Sequence, residues 1–462
     1  SGYPIIGSTR QSVISYSYDA HKNVKQVVST NYDLFNLGNE HKSTEYDYDL
    51  ISGNVNELVY QQDAEDEYRH RYHYDANNRL IRAFTSRDGG VQWEKEAKYF
   101  YYLHGSLARM ETGHDQVQGT DYAYSLQGWL KGVNSSTLVS SRDIGKDATT
   151  GDNEYFGIDA IGFNLGYFEN DYSPIEAITP FATTTDLTAL NVIGTDEMGS
   201  LYNGNITHMI TAIRAWDDLN VPLKITGNNY RYDQLQRIKA MDVYEDPNLI
   251  TNNAFGASTI ETFGTVNGYQ TRYSFDKNGN LLTLQRNGRD GTQMDDFTYN
   301  YYPTADNASV PTSMVSESNR LGSVLDNGAE YNNADDIQGV NDIGAIPQSI
   351  DNYTYDASGQ LISDAQEDIE EIVWTVTGKV KEIKYTASSD RNDLKFIYDP
   401  MDMRITKMEY MDNTCDGIHY TYYSYDAQGN VLATYKRKQE VGKVSGDGDY
   451  VDEFELSEQM IY

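Results

Sequence analysis

A short unit of strand, tight turn and strand recurs along almost the whole chain and limits the folds it can adopt. Its clearest copy is Tyr273-Ser-Phe-Asp276-Lys-Asn-Gly279-Asn-Leu281. Variants of this copy occupy residues 16–24, 46–55, 72–80, 230–238, 353–361, 396–405 and 423–431. Because a repeated unit sets the architecture before any single residue does, the pattern predicts a series of successive β-hairpins.

The residue types within the unit explain the predicted turn. Alternation along a strand places the two aromatic rings of Tyr-x-Tyr on one face. Asp276 ends the first strand, where its carboxylate can accept a backbone N–H from the turn. Gly279 stands where a hairpin turn needs a positive φ, and in other copies Asn78 or Asp402 takes that place. Asn and Asp tolerate the left-handed conformation best after Gly, so the substitutions support a shared turn.

Three copies depart from this pattern. Lys22 and Gln236 stand where Gly is expected, so we predict that those two turns differ from the others. Gly53 lies one residue later than the pattern requires, which predicts a longer loop there.

The predicted structural residues of the repeat are the aromatic residue and the aspartate before each turn, together with the residue of positive φ where one is clear. They are Tyr48, Asp49, Gly53, Tyr74, Asp75, Asn78, Tyr232, Asp233, Phe275, Asp276, Gly279, Tyr355, Asp356, Gly359, Tyr398, Asp399, Tyr425, Asp426 and Gly429.

These Tyr-Asp turns closely resemble those of the YD-repeat (Rhs) family, and the resemblance covers nearly all the chain. Two further stretches, 121–133 and 201–206, look like the versions in Bacteroidetes-type members. The resemblance implies an all-β fold in which successive antiparallel hairpins spiral into a large hollow β-shell. It also places the chain upstream of the Rhs core segment, as a fragment of a longer protein.

The resemblance implies a structural function, the encapsulation of a C-terminal toxin in a secreted polymorphic-toxin protein. The implied partners are that toxin payload in cis and a secretion machinery, and the implied location is secreted or at the bacterial cell surface. The alternative is a cell-surface adhesin that binds carbohydrate or a surface receptor through exposed Tyr and Trp. A targeting signal would lie outside this sequence.

The spacing of the repeat units divides the chain into three segments. Residues 1–132 and 230–462 carry YD repeats, whereas 133–229 is irregular and rich in Ser, Thr and Asp. We interpret 133–229 as an elaborated part of one continuous shell, with a separate inserted domain as the alternative. Within it, 205–216 is predicted to be a strand, and around Trp374 a hairpin without the Tyr-Asp signature is expected.

Composition excludes several classes of function. The net charge of −34 and the lack of a basic patch argue against nucleic-acid binding. No apolar run approaches the length needed to span a membrane. The single cysteine, Cys415, cannot form an intrachain disulfide or a cysteine metal cluster.

No motif predicts an enzyme, a cofactor or a metal site. His70 and His73 are three residues apart, which on a strand points them to opposite faces. The calcium-like spacing that starts at Asp276 lacks the expected Gly and terminal Glu, so a hairpin turn explains it better. Two acidic loops, 143–154 and 447–453, are interpreted as solvated, with calcium binding as the alternative.

Overall fold

The structure is a computed structural model of the 462-residue chain. It describes residues 12–149, 151–174, 178, 180–181, 200–214, 224–245, 268–303, 317–328, 351–411, 417–444 and 450–460. Cys415, residues 447–449 of the acidic loop 447–453 and parts of 133–229 therefore lie outside the described residues.

The fold is all-β, as predicted, with antiparallel pairing throughout the named strands and about 2% helix. The strands take up more than a third of the chain. In the described part of the chain the helices are two short 3-10 helices, Tyr32–Leu37 and Ser140–Arg142. Within the described residues no helix is long and apolar enough to cross a membrane.

The chain divides into two compact units, which are described separately. The first unit comprises residues 1–96 and 352–462, and the second comprises 97–351. The predicted irregular segment 133–229 lies within the second unit.

The first unit contains two antiparallel meanders in which each strand pairs with the next. The first meander consists of β1 (Ser12–Tyr18), β2 (Val24–Asn31), β3 (His41–Tyr48), β4 (Val55–Tyr60), β5 (Tyr68–Tyr74) and β6 (Leu80–Ser86). The second consists of β19 (Tyr353–Tyr355), β20 (Leu361–Asp364), β21 (Ile369–Trp374), β22 (Val380–Tyr385), β23 (Asp393–Tyr398), β24 (Arg404–Met411), β25 (Gly417–Tyr425), β26 (Val431–Val444) and β27 (Tyr450–Gln459).

The second unit contains one meander, which starts at β7, the strand in which the unit boundary falls. Its strands are β7 (Glu94–Tyr101), β8 (Leu107–Thr112), β9 (Gln118–Tyr124), β10 (Leu130–Val133), β11 (Ile161–Gly166), β12 (His208–Ile213), β13 (Lys224–Tyr232), β14 (Ile238–Glu245), β15 (Thr271–Phe275), β16 (Leu281–Asn287), β17 (Gln293–Pro303) and β18 (Glu317–Asp326). The strand predicted at 205–216 is β12, and the hairpin predicted around Trp374 is formed by β21 and β22.

A β-bulge precedes most of the repeat turns. The pairing register shifts between Ser274 and Phe275, for example, so that Phe275 pairs with Leu281 across the turn. The same shift stands before Tyr48, Tyr232 and Tyr398. A turn followed by a residue of positive φ and a bulge is a common hairpin connection, and its repetition sets the register of the meander.

The core of the first unit lies where its two meanders pack against each other. Buried Leu58 and Tyr60 of the first meander belong to the same apolar cluster as Tyr422 and Tyr435 of the second. Tyr60 and Tyr435 are 1% and 3% exposed. Since tyrosine buries a large ring yet keeps a polar hydroxyl, such a core needs hydrogen-bond partners for its hydroxyl groups.

Candidate functional site

The aspartate of each repeat organises its turn through hydrogen bonds to the backbone. The Asp276 carboxylate oxygen Oδ1 accepts the N–H groups of Asn278 and Asn280, both at 2.8 Å. The Asp276 N–H donates to the Asn280 carbonyl at 2.9 Å and closes the turn. The same two-residue and four-residue bonds are made by Asp19, Asp75, Asp233, Asp356, Asp399 and Asp426.

These bonds favour the ionised carboxylate. Slight burial raises the pKa of Asp276, but the hydrogen bonds from Asn280, Asn278 and Gly279 outweigh burial and hold that pKa below its ordinary value. Hydrogen bonds within their own turns likewise lower the pKa of Asp75 and Asp233. The negative charge of these turn aspartates is therefore structural.

The residue three positions after the aspartate adopts the left-handed conformation. Gly279 has φ of 95°, as predicted, and Asn78 and Asp402 have φ of 62° and 60°. Lys22 and Gln236 also have positive φ, of 71° and 63°. The expectation that their turns differ is wrong, because the aspartate bonds hold the same turn despite the less favourable side chain.

The loop that follows Asp49 is longer by one residue, as its late Gly53 predicted. The Asp49 N–H donates to the Asn54 carbonyl at 2.9 Å, five residues on instead of four. Gly53 has φ of 73° and donates to the Asp49 carbonyl at 2.9 Å. The extra residue is therefore accommodated within the turn, and pairing resumes at Val55.

We expect Gly279→Val to lower the free energy of unfolding by about 1–2 kcal/mol, because a β-branched residue is strained at positive φ. No atom lies within 4 Å of the added Cβ, so the cost comes from the backbone alone. Gly279→Asn is the matched control and is expected to cost a few tenths of a kcal/mol, since Asn tolerates this conformation. Equal losses in urea denaturation of the two variants would contradict the strain argument.

The tyrosine before several of the turn aspartates connects its hairpin to the preceding one, a contact that the sequence did not predict. Tyr398 donates its hydroxyl to the Val380 carbonyl at 2.8 Å, and Val380 is the first residue after the previous turn. We call this contact the tyrosine latch. It recurs at 2.7–3.0 Å in the pairs Tyr48–Val24, Tyr74–Val55, Tyr232–Ile206 and Tyr425–Arg404, and also in Tyr167–Leu130 and Tyr301–Leu281, whose tyrosines are not followed by an aspartate.

Two repeats replace the tyrosine, and each compensates differently. Trp374 donates its indole N–H to the Leu361 carbonyl at 2.7 Å, which preserves the latch. Phe275 has no donor. There Arg237 of the preceding turn lies 4.7 Å from the Phe275 ring centroid and donates to the Asp276 carbonyl at 2.9 Å. A cation over the ring thus takes the place of the missing hydroxyl.

We expect Tyr398→Phe to cost about 0.5–1.5 kcal/mol, the usual net value of one intramolecular hydrogen bond. The control is Tyr18→Phe in the first described repeat, where the side chain is 59% exposed and the change should stay within about 0.5 kcal/mol. Hydrogen exchange of β22 and β23 provides the local measurement. Unchanged protection of both strands in Tyr398→Phe would contradict a stabilising latch.

A polar cluster joins the two meanders of the first unit. The hydroxyls of Tyr60 and Tyr435 lie 2.7 Å apart, and the Tyr435 hydroxyl donates to Asp66 Oδ2 at 2.5 Å. Lys42 Nζ lies 2.8 Å from the same oxygen and 4.3 Å from the centroid of the Tyr435 ring. Gln459 donates to the Asp66 carbonyl at 2.9 Å. We call Lys42, Tyr60, Asp66 and Tyr435 the closure cluster.

The closure cluster is electrostatically satisfied. Burial raises the pKa of Asp66, but the hydrogen bonds from Lys42 and Tyr435 outweigh burial and hold that pKa below its ordinary value. Burial also raises the pKa of Tyr435, which therefore stays a donor. A second contact between the meanders, from the Ala427 N–H to the Tyr46 hydroxyl at 2.7 Å, supports the same closure.

The second unit contains a buried group of charged residues, which we call the acidic cluster. Arg109 donates to Asp121 at 2.5 Å and to Asp147 at 2.6 Å, and its Nε lies 3.6 Å from Glu111. Asp143 and Asp159 complete the cluster, because both act electrostatically on its other carboxyl groups. Its six residues, five of them acidic, are each 8% exposed or less. Lys98 Nζ lies 3.5 Å from Glu111, so the Arg109 guanidinium and one lysine at the Glu111 end face five carboxyl groups.

This imbalance changes the protonation of the carboxyl groups. Burial raises the pKa of Asp121 to about 7, against the opposing effect of Arg109. Burial, reinforced by Asp143, Asp147 and Asp121, raises the pKa of Asp159 to about 8. Because Arg109 and Lys98 cannot neutralise five carboxylates, some of them hold protons at neutral pH.

The remaining candidate residues show no catalytic or metal-binding arrangement in the described part of the chain. Burial lowers the pKa of His70 to about 4, so that its ring is neutral at pH 7, and His73 stacks at a tilt on Phe84, with the centroids 5.1 Å apart. Among the described residues no group of three His, Cys, Asp or Glu side chains could hold a metal ion. In the loop 143–154, Asp143 and Asp147 belong to the acidic cluster.

Comparisons with known proteins give matches among solved structures at low sequence identity. No family model matches the sequence, and no curated protein matches it. Two solved structures, the complex TcdB2-TccC3-Cdc42 and TcdB2-TccC3 without its hypervariable C-terminal region, match with a TM-score of 0.49, at 12% and 13% identity. Each match covers 96% of this chain, and the chain spans 18% and 19% of those chains.

A Tc holotoxin pore from Photorhabdus luminescens matches over 96% of this chain and 24% of its own, at 11% identity and a TM-score of 0.26. The chain thus spans a quarter or less of the length of each of these structures. The Bacteroidetes-type attribution stays a prediction.

Proposed function

We propose that this chain forms part of the wall of a hollow β-shell that sequesters a C-terminal toxin payload. The observation that carries the proposal is the tyrosine latch. Each latch connects a hairpin to the one before it through a backbone carbonyl. Because a backbone carbonyl is present in every unit, the wall can extend by the addition of units that differ in their other side chains. A wall built in this way is suited to enclosing a payload and needs no catalytic residues.

The closure cluster supports the same proposal. It joins Tyr60 to Tyr435, 375 residues apart in sequence, which a simple open ribbon of hairpins would leave unconnected. The ionised turn aspartates add fixed negative charge, which favours solubility over association. We propose further that the protein is not an enzyme, that it is secreted or displayed at the cell surface, and that a secretion machinery exports it with its payload.

The test is protease protection of the full-length protein with its C-terminal domain present. We expect that domain to be digested at least about tenfold more slowly in the intact protein than when expressed alone, because a closed wall admits only rare openings. Asp66→Ala, which breaks the closure cluster, should reduce the protection, whereas Glu65→Ala at an exposed neighbour should not. Equal digestion rates for enclosed and isolated domain would refute encapsulation and favour the adhesin.

A further inference from the structure

A lysine and an aspartate form a buried ion pair in the second unit, beside one of the tyrosine latches. Lys131 lies in β10, and Asp171 lies in the segment that follows β11. Their side chains are 6% and 7% exposed. Tyr167, four residues before Asp171, donates its latch hydroxyl to the carbonyl of Leu130, the residue before Lys131. The latch therefore holds the two backbone segments of the pair together.

The lysine nitrogen contacts both oxygens of the carboxylate. Lys131 Nζ lies 2.8 Å from Asp171 Oδ1 and 2.9 Å from Asp171 Oδ2. A nitrogen that contacts both oxygens also lies roughly 3 Å from the carboxyl carbon, which is the separation of reacting atoms in a near-attack geometry. The pair is thus positioned for an amine to attack a carboxyl group.

The surroundings disfavour the charged form of Lys131. An ammonium has three N–H donors, and among the described residues its acceptors are the two oxygens of Asp171 alone. Burial lowers the pKa of Lys131 against the opposing effect of Asp171. Lys131 also acts electrostatically on buried His208, whose pKa burial lowers to about 3, so that this neighbour is neutral at pH 7. A neutral lysine amine is a nucleophile, whereas an ammonium is not.

The Lys42–Asp66 pair of the closure cluster shows that burial next to an aspartate is not sufficient for this arrangement. Lys42 Nζ contacts Asp66 Oδ2 at 2.8 Å and also donates to Asn39 Oδ1 at 3.4 Å. The Asp66 carboxylate accepts a second hydrogen bond from Tyr435, and its pKa lies below the ordinary value. That pair shares its charges with further partners and stays ionised.

A backbone N–H is directed at the carboxylate of Asp171. The Tyr167 N–H donates to Asp171 Oδ2 at 2.9 Å. When an amine adds to a carboxyl group, negative charge develops on the oxygen that remains, and a positioned N–H donor stabilises it. Oδ2 is therefore the oxygen that remains, and Oδ1 is the one that leaves. Because both side chains are almost fully buried, little water reaches the product to hydrolyse it.

We propose that Lys131 and Asp171 form an intramolecular isopeptide bond. Within the ion pair one proton passes from Nζ to Oδ1, and the resulting neutral amine attacks Cγ. The Nζ–Cγ bond forms, the Cγ–Oδ1 bond breaks, and Oδ1 leaves as water with a second proton from Nζ. Ammonium and carboxylate thus give one amide and one water molecule, and the step needs no oxidant, reductant or cofactor.

The amide replaces a buried ion pair, whose desolvation is costly, by a neutral group. It also joins β10 covalently to the segment after β11, within the part of the chain where the regular hairpins are interrupted. The bond goes beyond the proposed shell and does not depend on it, because both residues belong to the second unit.

The test is the mass of the intact chain under denaturing conditions, followed by a tryptic peptide map. We expect the mass to lie below that of the sequence by one water molecule, and trypsin to leave the bond after Lys131 uncut. Peptide 110–142 should then be joined to peptide 147–214, with fragment ions that locate the link at Lys131 and Asp171. This measurement needs no variant to fold. A chain with the full mass of its sequence, cut normally after Lys131, overturns the proposal.

Lys131→Arg keeps a cation beside Asp171 but has no amine that can form the amide, so its mass should equal that of its own sequence. Lys384→Arg is the matched control, at an exposed ion pair with Glu371, and should still lack one water molecule. A loss of water that persists in Lys131→Arg arises elsewhere in the chain and overturns the proposal. None of these results bears on protease protection of the payload, so the two proposals fail separately.

Discussion

Replacing Asp66 by alanine is expected to lower the free energy of unfolding by about 3 kcal/mol, the low end of the range for breaking a buried ion pair. The change leaves Lys42, whose side chain is 9% exposed, without its carboxylate. It also removes the acceptor of the Tyr435 hydroxyl. The loss is large because the Lys42 charge stays buried without its carboxylate and the Tyr435 hydroxyl keeps only its contact with Tyr60, and not because the ion pair itself contributes much.

Urea denaturation, read together with hydrogen exchange of β4 and β26, measures this effect. Glu65→Ala is the matched control, an exposed acid next to Asp66 whose loss should change stability by less than about 0.5 kcal/mol. Tyr435→Phe should be intermediate, because it removes one hydroxyl and leaves the ion pair intact. Equal stabilities of the Asp66→Ala and Glu65→Ala variants would show that the closure cluster does not hold the two meanders together.

The second large effect concerns pH. Asp121 and Asp159 have folded pKa values of about 7 and about 8, well above the value near 4 of an unfolded aspartate. The folded state therefore binds protons that the unfolded state releases, and stability rises as pH falls from about 8 towards about 4. The slope is about 1.4 kcal/mol per pH unit for each such carboxyl group where only the folded state is protonated.

Below about pH 4 the trend reverses. The pKa values of the turn aspartates, Asp276 among them, are lowered in the folded state. Their contribution is therefore present above the unfolded pKa and is lost as pH falls through the lower folded value. We expect a stability maximum between about pH 4 and 6, which Tm measured by calorimetry across pH 3–9 would locate.

A single variant tests whether the acidic cluster causes the dependence of stability on pH. Asp159→Asn should stabilise the protein at pH 8, where it removes repulsion within the acidic cluster, and should flatten the profile between pH 5 and 8. Asp152→Asn, in the exposed part of the same loop, should leave the profile unchanged. If Asp159→Asn destabilises at pH 8 with an unaltered slope, the ionised Asp159 is needed, and the charge imbalance around Arg109 does not control stability.

The local structure of the repeat could be predicted from sequence because its causes are local. An aspartate that accepts from residues two and four positions on, and a glycine of positive φ three positions on, lie within one turn, as Asp276 and Gly279 do. The prediction failed at Lys22 and Gln236 because propensity was given more weight than the carboxylate bonds. Those bonds stabilise the turn even when the residue three positions after the aspartate is unfavourable in the left-handed conformation.

The tertiary contacts could not be predicted in this way. The closure cluster joins Asp66 to Tyr435, 369 residues apart, and a single Tyr among 40 gives no signal of its partner. The acidic cluster was partly visible as an acidic loop, but nothing in the sequence places Asp147 against Arg109. The tyrosine latch was missed for a different reason. The sequence pattern predicted a structural role for the aromatic ring of this tyrosine, whereas the contact is made by its hydroxyl group.

The most direct measurement is a cryo-EM reconstruction of the full-length protein with its C-terminal domain present. The predicted result is a wall in which the hairpins of this chain follow one another through their tyrosine latches, with density for the payload on the inner side of that wall. A reconstruction in which the C-terminal domain stands outside the hairpins, folded and open to solvent, would contradict encapsulation.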